Sequence, residues 1–383
     1  MGRNNIKFAS RREVDIPYSK LAGVNLDYVL QDLLVDINNA PDDPGFNECQ
    51  AQLHAHIKAY EKQVRTNKFF HNDVFASRSH HDSFFKTLEM VYSKKRILVS
   101  IDIEAYEFSH DIVTEIGLSI YDPRSHYCEN GFQGSGKIKK VHIIIKENMK
   151  YRNGQYVRDN QDNFLGGPSY ILSIREAAMV MQLLVNYYFP EDLEFTKCGA
   201  FGVSLVGHDV GGDIKWLMSL GVRFPKYITE HNGSPNNHFI LDTQKLWKYT
   251  FGDRYSSLWK ILNFFEVPNG YLHNGGNDAL FTLILLMVIT DPAIRSYKNF
   301  DKMNQYFLPD DVAFCLNNNK TPKPNPSVTS SYTSNAIHVY SNEEYAKTLA
   351  RYVDISIVSA TNIKENIKID SVGKTIKAIF EDY

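Results

Sequence analysis

Apolar positions in the first 95 residues recur at helical spacing. One stripe runs through NLDYVLQDLLVDINNA (25–40), a second joins Phe46 to Val64, and a third leads from Phe84 to Tyr92. Residues three and four apart share a face of a helix, so each stripe predicts a helix with one buried side. We therefore expect residues 1–95 to form a helical cap that carries no chemistry of its own.

From residue 96 to about 295 the pattern changes, and short apolar runs that predict strands alternate with longer helical stripes. The predicted strands lie in RILVSIDIE, TEIGLSIYD, KVHIIIKE, FGVSLVGHD and HFILDT, and the predicted helices in SIREAAMVMQLLVNYYF, GDIKWLMSLG, SLWKILNFF and NDALFTLILLMVIT. Strands that precede helices are typical of the α/β class. We predict a mixed β-sheet flanked by helices over 96–295.

The last part of the chain is polar. The segment NNNKTPKPNPSVTSSYTSN (317–335) has the Asn, Pro, Ser and Thr content of a linker. The residues after it predict one strand and one helix. We therefore expect 296–383 to be a linker followed by a small α/β extension.

The overall composition excludes several classes of protein. With 383 residues, 43% of them hydrophobic, and a net charge of −2, the chain can bury a large core and is neither polybasic nor disordered. Its four cysteines form no CxxC pair, which argues against a zinc ribbon or a disulfide framework and favours an intracellular location, in the nucleus or cytoplasm.

Two further patterns concern targeting. The longest apolar run, 279–289, is eleven residues long and predicts a core helix rather than a membrane span, so no membrane partner is expected. The first twelve residues carry four cations and no acid. They are interpreted either as a mitochondrial presequence or as a plain basic tail.

The predicted strand in ILVSIDIEAYE (97–107) ends with two acids on one side. Side chains two apart on a strand point the same way, so Asp102 and Glu104 share one small space. Two carboxylates that partly leave water are costly unless a cation compensates them. The pair therefore predicts half of a metal site.

A third acid follows a later strand. Asp213 shares a helix face with Leu217 and Leu220, so its carboxylate is expected to point toward the sheet. Asp209 lies four residues earlier and is the rival, but its position suits a helix N-cap whose side chain accepts from the next amides. We assign the metal role to Asp213. Asp242 ends the strand in ILDTQKLW, and we expect it either to be structural or to support the metal ligands without binding the metal.

The fourth acid opens the most apolar helix. In LHNGGNDALF, His273 precedes the helix and Asp278 lies in its first turn. The backbone at Gly275 and Gly276 can approach a ligand closely because neither residue has a Cβ. An imidazole beside such an acid is suited to proton transfer near a metal.

The order of these motifs resembles the DEDDh branch of the 3′→5′ exonucleases, which have a ribonuclease H-like fold. The likeness covers 96–295. More closely, SIDIEAYE, TEIGLSIYD, HIIIKENMKYRNGQYV, FLGGPSY and LHNGGNDA are similar to the nuclease domain of a fungal group named for supporting a DEAD-box helicase in mRNA export.

The resemblance implies roles for five residues. Asp102, Glu104, Asp213 and Asp278 would hold two divalent cations, and His273 would be the general base. Four carboxylates form a hard-oxygen site, which by itself favours Mg²⁺ or Mn²⁺ over zinc. The implied reaction is hydrolysis of single-stranded nucleic acid from the 3′ end, with RNA favoured over DNA.

Residues beside the acids are candidates for binding the terminal nucleotide. Ala105 and Tyr106 follow the acid pair, where many relatives have Thr-Thr-Gly, and Asn274 follows His273. Two interpretations of Tyr106 stay open: its ring stacks on a base, or it packs between the sheet and the N-terminal helices.

The segment KIKKVHIIIKENMKYRNGQYVR (137–158) is locally basic. It contains seven Lys and Arg residues against one acid. Lys146 and Arg152 are therefore candidate phosphate contacts, and Tyr151 and Tyr156 are able to stack on bases. The alternative interpretation is a solvated hairpin face, which is typical of charged runs.

Three functions remain open from the sequence. The leading one is the exonuclease. A second is a protein that keeps the nuclease fold but only binds RNA, an RNA helicase or an mRNA-export factor. The third is a metal-dependent phosphodiesterase for dinucleotides or small esters. All five catalytic positions are filled, which favours an enzyme.

Overall fold

The computed structural model describes residues 26–35, 44–66, 78–128, 131–132, 138–190, 202–229, 239–251, 255–265, 267 and 269–297. The predicted basic tail, the linker at 317–335 and the C-terminal α/β extension therefore lie outside the described residues.

A six-stranded mixed sheet forms the centre of the described part of the chain. Its strands are β1 (Arg96–Tyr106), β2 (Ser109–Tyr121), β5 (Lys139–Ile145), β6 (Tyr170–Leu172), β7 (Gly202–Gly207) and β8 (Ile240–Asp242), in the order β6-β5-β2-β1-β7-β8. β3 (Tyr127–Cys128) and β4 (Gly131–Phe132) form a separate small ribbon. In the large sheet only β2 is antiparallel, and the other five strands are parallel to one another. The predicted mixed sheet is confirmed, with β6 as a strand that the sequence pattern did not reveal.

Ten helices are described. They are α1 (Asp27–Leu30), α2 (Pro44–Thr66), α3 (Arg78–Tyr92), α4 (Ile174–Tyr188), α5 (Gly211–Ser219), α6 (Lys226–Thr229), α7 (Thr243–Phe251), α8 (Leu258–Phe264), α9 (Gly275–Ile289) and α10 (Pro292–Tyr297). Every residue of α9 is buried, as expected for a core helix. None of the helices in the described segments is both long enough and apolar enough to cross a membrane.

Two hydrophobic clusters sandwich the sheet. One contains α9 together with residues of α2, α3, α7 and α8, and the other joins strand residues to α1, α4 and α5. The buried guanidinium of Arg295 ties the N-terminal helices to the first cluster, since it donates to the Tyr60 hydroxyl (2.9 Å) and lies 4.2 Å from the centre of the Phe84 ring. The predicted stripes at 46–64 and 84–92 thus form helices whose buried faces complete the core around α9.

The first predicted helix is much shorter than its apolar stripe suggested. α1 ends at Leu30, although Val29 and Leu33 are both fully buried. The hydroxyl of Tyr188 in α4 explains the early end. It accepts a hydrogen bond from the amide of Val35 (3.0 Å) and donates one to the carbonyl of Leu33 (2.6 Å). These bonds satisfy backbone groups that would otherwise require a continued helix.

Candidate active site

The acid pair lies where β1 extends beyond its neighbour β7. The last paired residue of β1 with β7 is Ser100, opposite Val206. Beyond this point Asp102, Glu104 and Tyr106 are part-exposed on one face, whereas the residues between them are buried on the other. The alternation of a strand therefore places both carboxylates on the same open face, as the sequence predicted.

Asp213 reaches the acid pair from α5. The residue is buried, and its Oδ1 accepts a hydrogen bond from the amide of Ile103, between the two acids of β1 (2.9 Å). This bond orients the carboxylate toward the β1 face that carries Asp102. Asp213 thus lies in the same space as the pair on β1.

The expected capping role of Asp209 is wrong. Val210 occupies the N-cap of α5 and no side chain caps it, while Asp209 is exposed and has a left-handed backbone with φ +62°. The amide of Asp209 instead donates to Oδ1 of Asp242 (3.0 Å), which also accepts from the amide of Gln244 (2.9 Å). Asp242 therefore stabilises the two strand ends, the structural one of the two roles expected for it.

The start of α9 brings His273 beside Asp278. The amide of His273 donates to Oδ2 of Asp278 (3.0 Å), and the histidine has a left-handed backbone with φ +64°. Asn274 caps the helix by accepting from the amide of Asn277 (3.1 Å), and its Nδ2 donates to the carbonyls of Asn160 and Gln161. Asn274 is fully buried in these bonds, so its side chain is already committed to holding the turn.

Two glycines allow this helix start to lie directly on the sheet. A Cβ built on Gly117 of β2 would lie 1.8 Å from the carbonyl oxygen of Gly275, and one on Gly276 would lie 2.8 Å from the Cβ of His142. Such close approach, to backbone at Gly117 and to side chains at Gly276, needs residues without a Cβ. This close approach fixes the distance between the sheet and the start of α9, and therefore the position of Asp278 in the site.

Gly117→Ala is expected to displace the start of α9 and to lower the nuclease activity that the resemblance implies by about 10²-fold, since misplacement of a reacting group by about 1 Å can have that effect. Overpacking should also cost about 1–3 kcal/mol of stability. The matched control is Gly212→Ala, whose new Cβ would meet no atom within 4 Å. Cleavage rates and melting temperatures of both variants test the contact. Normal activity and melting of Gly117→Ala would contradict it.

A fifth acid, Glu115, was missed by the sequence analysis. It lies directly opposite Glu104 in the β1–β2 pairing and is buried. Its Oε2 accepts from Nε2 of the fully buried His142 (2.8 Å) and from the amide of Gly275 (3.2 Å). The signal was present in TEIGLSIYD, where Glu115 lies within the predicted strand, just before its apolar part. Glu115 thus joins β2, β5 and the start of α9 behind the predicted acids.

The electrostatics of the site favour the binding of a cation. Burial, and then the charge of Glu115, raise the pKa of Asp102 to about 7. Burial and the neighbouring acids also raise the pKa of Glu104, Asp213 and Asp278 well above their ordinary values. No lysine or arginine of the described segments is among the groups that shift these four values. Crowded acids without a compensating cation are unfavourable when ionised.

One carboxylate oxygen of Asp278 marks a position where a cation would compensate the negative charge of the acids. Oδ1 of Asp278 is buried and has no hydrogen-bond partner among the described residues. Ligand atoms of Glu104, His273 and Asp278 lie within 4.8 Å of one another. An unpartnered carboxylate oxygen costs free energy unless it coordinates an ion. The oxygen-rich donor set fits a hard divalent cation such as Mg²⁺ or Mn²⁺.

The remaining predicted substrate residues have different surroundings. Ala105 is buried, and its carbonyl accepts from Asn153 (3.2 Å). Lys146 is exposed in a 3₁₀ turn, Lys146–Asn148. The guanidinium of Arg152 is already paired, with Asp159 at 2.8 Å and Asp162 at 2.6 Å. Tyr106 is part-exposed and its ring lies against Phe108 and Tyr151.

A family model decides the relationship that these residues suggest. The model of the DEDDh family described as "DNA polymerase III subunit epsilon-like, C-terminal domain" matches residues 97–289, half of the chain. The chain belongs to this DEDDh family. The mixed sheet with its flanking helices is therefore a ribonuclease H-like fold, and the DEDDh domain supports a nuclease-type, metal-binding hydrolase function.

Fungal proteins resemble the chain beyond the family model. "Good for full DBP5 activity protein 2" of Saccharomyces cerevisiae is 38% identical over 236 residues, which cover 59% of this chain and 41% of the relative. "Uncharacterized protein YDR514C" of the same organism is 38% identical over 229 residues, covering 57% and 46%. "Uncharacterized nucleolar protein C2C4.08" of Schizosaccharomyces pombe is 28% identical over 199 residues, covering 50% and 68%. The chain thus matches less than half of the length of the first two relatives, through regions longer than the 97–289 segment that the family model matches.

Proposed function

We propose that the protein is a metal-dependent 3′→5′ exonuclease of single-stranded nucleic acid, with RNA favoured over DNA. The observation that carries this proposal is the cluster of ligand atoms of Glu104, His273 and Asp278 within 4.8 Å, where Oδ1 of Asp278 is buried without a hydrogen-bond partner among the described residues. The charge of Asp102 acts on Glu104, Asp213 and Asp278, so the four acids form one electrostatic cluster. Membership in the DEDDh family supports the reaction class. The preference for RNA rests only on the resemblance to proteins associated with mRNA export.

The four acids are the residues that would hold two divalent cations, Mg²⁺ or Mn²⁺, which when bound polarise the scissile phosphate and lower the pKa of the attacking water. The bond formed joins the water oxygen to phosphorus, and the bond broken joins phosphorus to the O3′ of the preceding nucleotide. The products are a free nucleoside monophosphate and a strand shortened by one residue.

His273 accepts the proton of the attacking water on an imidazole nitrogen. The hydrogen bond from its own amide to Asp278 fixes the backbone that carries the ring next to the acids. Partial burial lowers the pKa of His273 below its ordinary value of 6.5, and the charge of Glu115 opposes the shift. With its pKa lowered, the ring is mostly neutral and able to accept a proton at pH 7 to 8.

A time course on 5′-labelled RNA and DNA with Mg²⁺, Mn²⁺ or EDTA tests the proposal. A descending ladder of products that chelation abolishes would support a 3′→5′ exonuclease. Asp278→Asn protein, purified in parallel, excludes a contaminating nuclease. Cleavage of dinucleotides or small diesters without cleavage of longer strands would instead identify a phosphodiesterase.

A second candidate function is binding without catalysis. It is favoured by the name of the first yeast relative, which refers to the full activity of another protein. On this proposal the domain binds RNA, an RNA helicase or an mRNA-export factor, and the nucleolar relative suggests the nucleus as the place of action. Tight binding of RNA with no cleavage of any substrate in the same time course would support it.

A further inference from the structure

Four aromatic rings form a continuous surface that begins beside the acids of β1. We define this aromatic strip as Tyr151, Tyr106, Phe108 and Tyr156. Consecutive ring centres are 5.2, 5.3 and 5.8 Å apart. Exposure increases along the strip, from part-exposed Tyr151 and Tyr106 to Phe108 at 55% and Tyr156 at 74%. Tyr106 shares the β1 face of Asp102 and Glu104, so the strip leads from the acids out to solvent.

The backbone beneath the strip is held rigidly. The carboxylate of Glu107, at the turn between β1 and β2, accepts hydrogen bonds from the amides of Gln155, Tyr156 and Val157 (2.7–2.9 Å). Asn153 accepts from the amide of Glu107 (2.9 Å) and donates to the carbonyl of Ala105. The exposed rings therefore stand on two fixed segments, which lowers the entropy lost when a ligand stacks on them.

Three exposed cations lie on the 146–158 segment that also carries Tyr151 and Tyr156. Lys146, Lys150 and Arg158 are exposed, and none of them forms an ion pair with another described residue. Nζ of Lys150 lies 5.1 Å from the centre of the Tyr151 ring. Arg152 is different, because its charge is already balanced by Asp159 and Asp162. The cations able to meet phosphates are thus Lys146, Lys150 and Arg158.

We propose that the aromatic strip binds the bases that precede the 3′-terminal nucleotide of a single strand. Aromatic rings flanked by lysine and arginine are the chemistry by which proteins bind single-stranded nucleic acid without sequence preference. Stacking on an exposed ring needs an unpaired base, so the strip selects single strands over duplexes. The inference rests on the proposed function, since the acids define which end of the strand is held, and it makes a polymer rather than a small diester the natural substrate.

Affinity measured in EDTA tests the strip without catalysis. Wild-type affinity for oligo-U and oligo-dT should rise with length from two to about eight nucleotides, since successive bases can stack on successive rings of the strip. Phe108→Ala and Tyr156→Ala should each weaken binding of the long strands by about 5- to 100-fold. The matched control is Trp259→Ala, which removes a similarly exposed ring (52%) from α8 and should bind normally. Equal losses for RNA and DNA are expected, because stacking does not read the sugar.

A reporter variant shows direct contact. Tyr156→Trp should keep the affinity of the wild type, and its additional fluorescence should be quenched when a long strand binds but not when a dinucleotide binds. Melting temperatures of all variants should stay close to that of the wild type, because the replaced rings are exposed.

The outcomes separate this inference from the proposed function. Loss of affinity in both strip variants without any cleavage by the wild type would support the strip and refute the exonuclease. The wild type could instead cleave normally while Phe108→Ala, Tyr156→Ala and Trp259→Ala bind long strands equally well. This result would contradict binding by the aromatic strip but would remain consistent with the exonuclease. If the two strip variants lost affinity for a peptide but kept their affinity for nucleic acid, the proposed role of the aromatic strip would also be wrong.

Discussion

Asp102→Asn is expected to remove most nuclease activity and, at the same time, to raise the melting temperature of the metal-free protein at pH 8. The loss should be on the order of 10³-fold or more, because charge stabilisation at a metal site is worth several kcal/mol. The gain in stability has a different cause. In the absence of ions, burial and crowding make ionisation of these acids unfavourable, and the amide removes one of the groups that would ionise.

The pH dependence follows from the raised pKa. Asp102 titrates near pH 7 in the folded protein and near 3.9 in the unfolded chain, so folding favours its protonated form. The stabilisation from that proton is complete below pH 3.9 and is lost as the pH rises toward 7. The metal-free wild type should therefore lose stability over this window. Asp102→Asn should lose less, by about 1 kcal/mol or more, which corresponds to a few degrees in melting temperature.

Two comparisons isolate the metal effect. Mg²⁺ or Mn²⁺ should raise the melting temperature of the wild type at pH 8, since a ligand that binds only the folded state stabilises it, and should do so much less for Asp102→Asn. Asp209→Asn is the control, because this acid is exposed and lies four residues from Asp213. An inactive Asp209→Asn with a near-normal Asp213→Asn would reverse our assignment. Lower metal-free stability of Asp102→Asn at pH 8 would contradict the crowded-acid explanation.

His273→Ala is expected to lower turnover by about 10²–10⁴-fold, the usual contribution of a positioned general base. The wild-type rate should fall below about pH 6.5, because the protonated imidazole cannot accept a proton and its pKa is lowered rather than raised. This acid limb should flatten in the variant. Rates at saturating Mn²⁺ across the pH range provide the measurement.

The left-handed backbone of His273 calls for a second variant. Asn adopts φ near +60° more readily than Ala, so His273→Asn removes the base with little added strain. Both variants should lose activity to a similar extent and should keep the metal-dependent rise in melting temperature. An acid limb that persists in His273→Asn would show that a different group accepts the proton.

Local patterns in the sequence were sufficient for the fold class and for the placement of the predicted acids. A strand's two-residue period places Asp102 and Glu104 on one face whatever surrounds them, and helical spacing turns Asp213 toward the sheet. The uniformly apolar α9 could only be a core helix. Such features depend on neighbours within a few residues, which is why periodicity and spacing revealed them.

Features that depend on contacts between distant segments could not be obtained in this way. Glu115 meets the amide of Gly275 across 160 positions of sequence, and Gly117 sets the depth of the same helix. The role expected of Asp209 failed because Val210 adopted the capping position. The sequence alone did not show that Arg152 pairs with Asp159 and Asp162. The four rings of the aromatic strip are neighbours only because the turn between β1 and β2 packs against the segment that carries Tyr151 and Tyr156. Burial, pairing and exposure are properties of the packed chain, because each depends on which remote residue occupies the adjoining space.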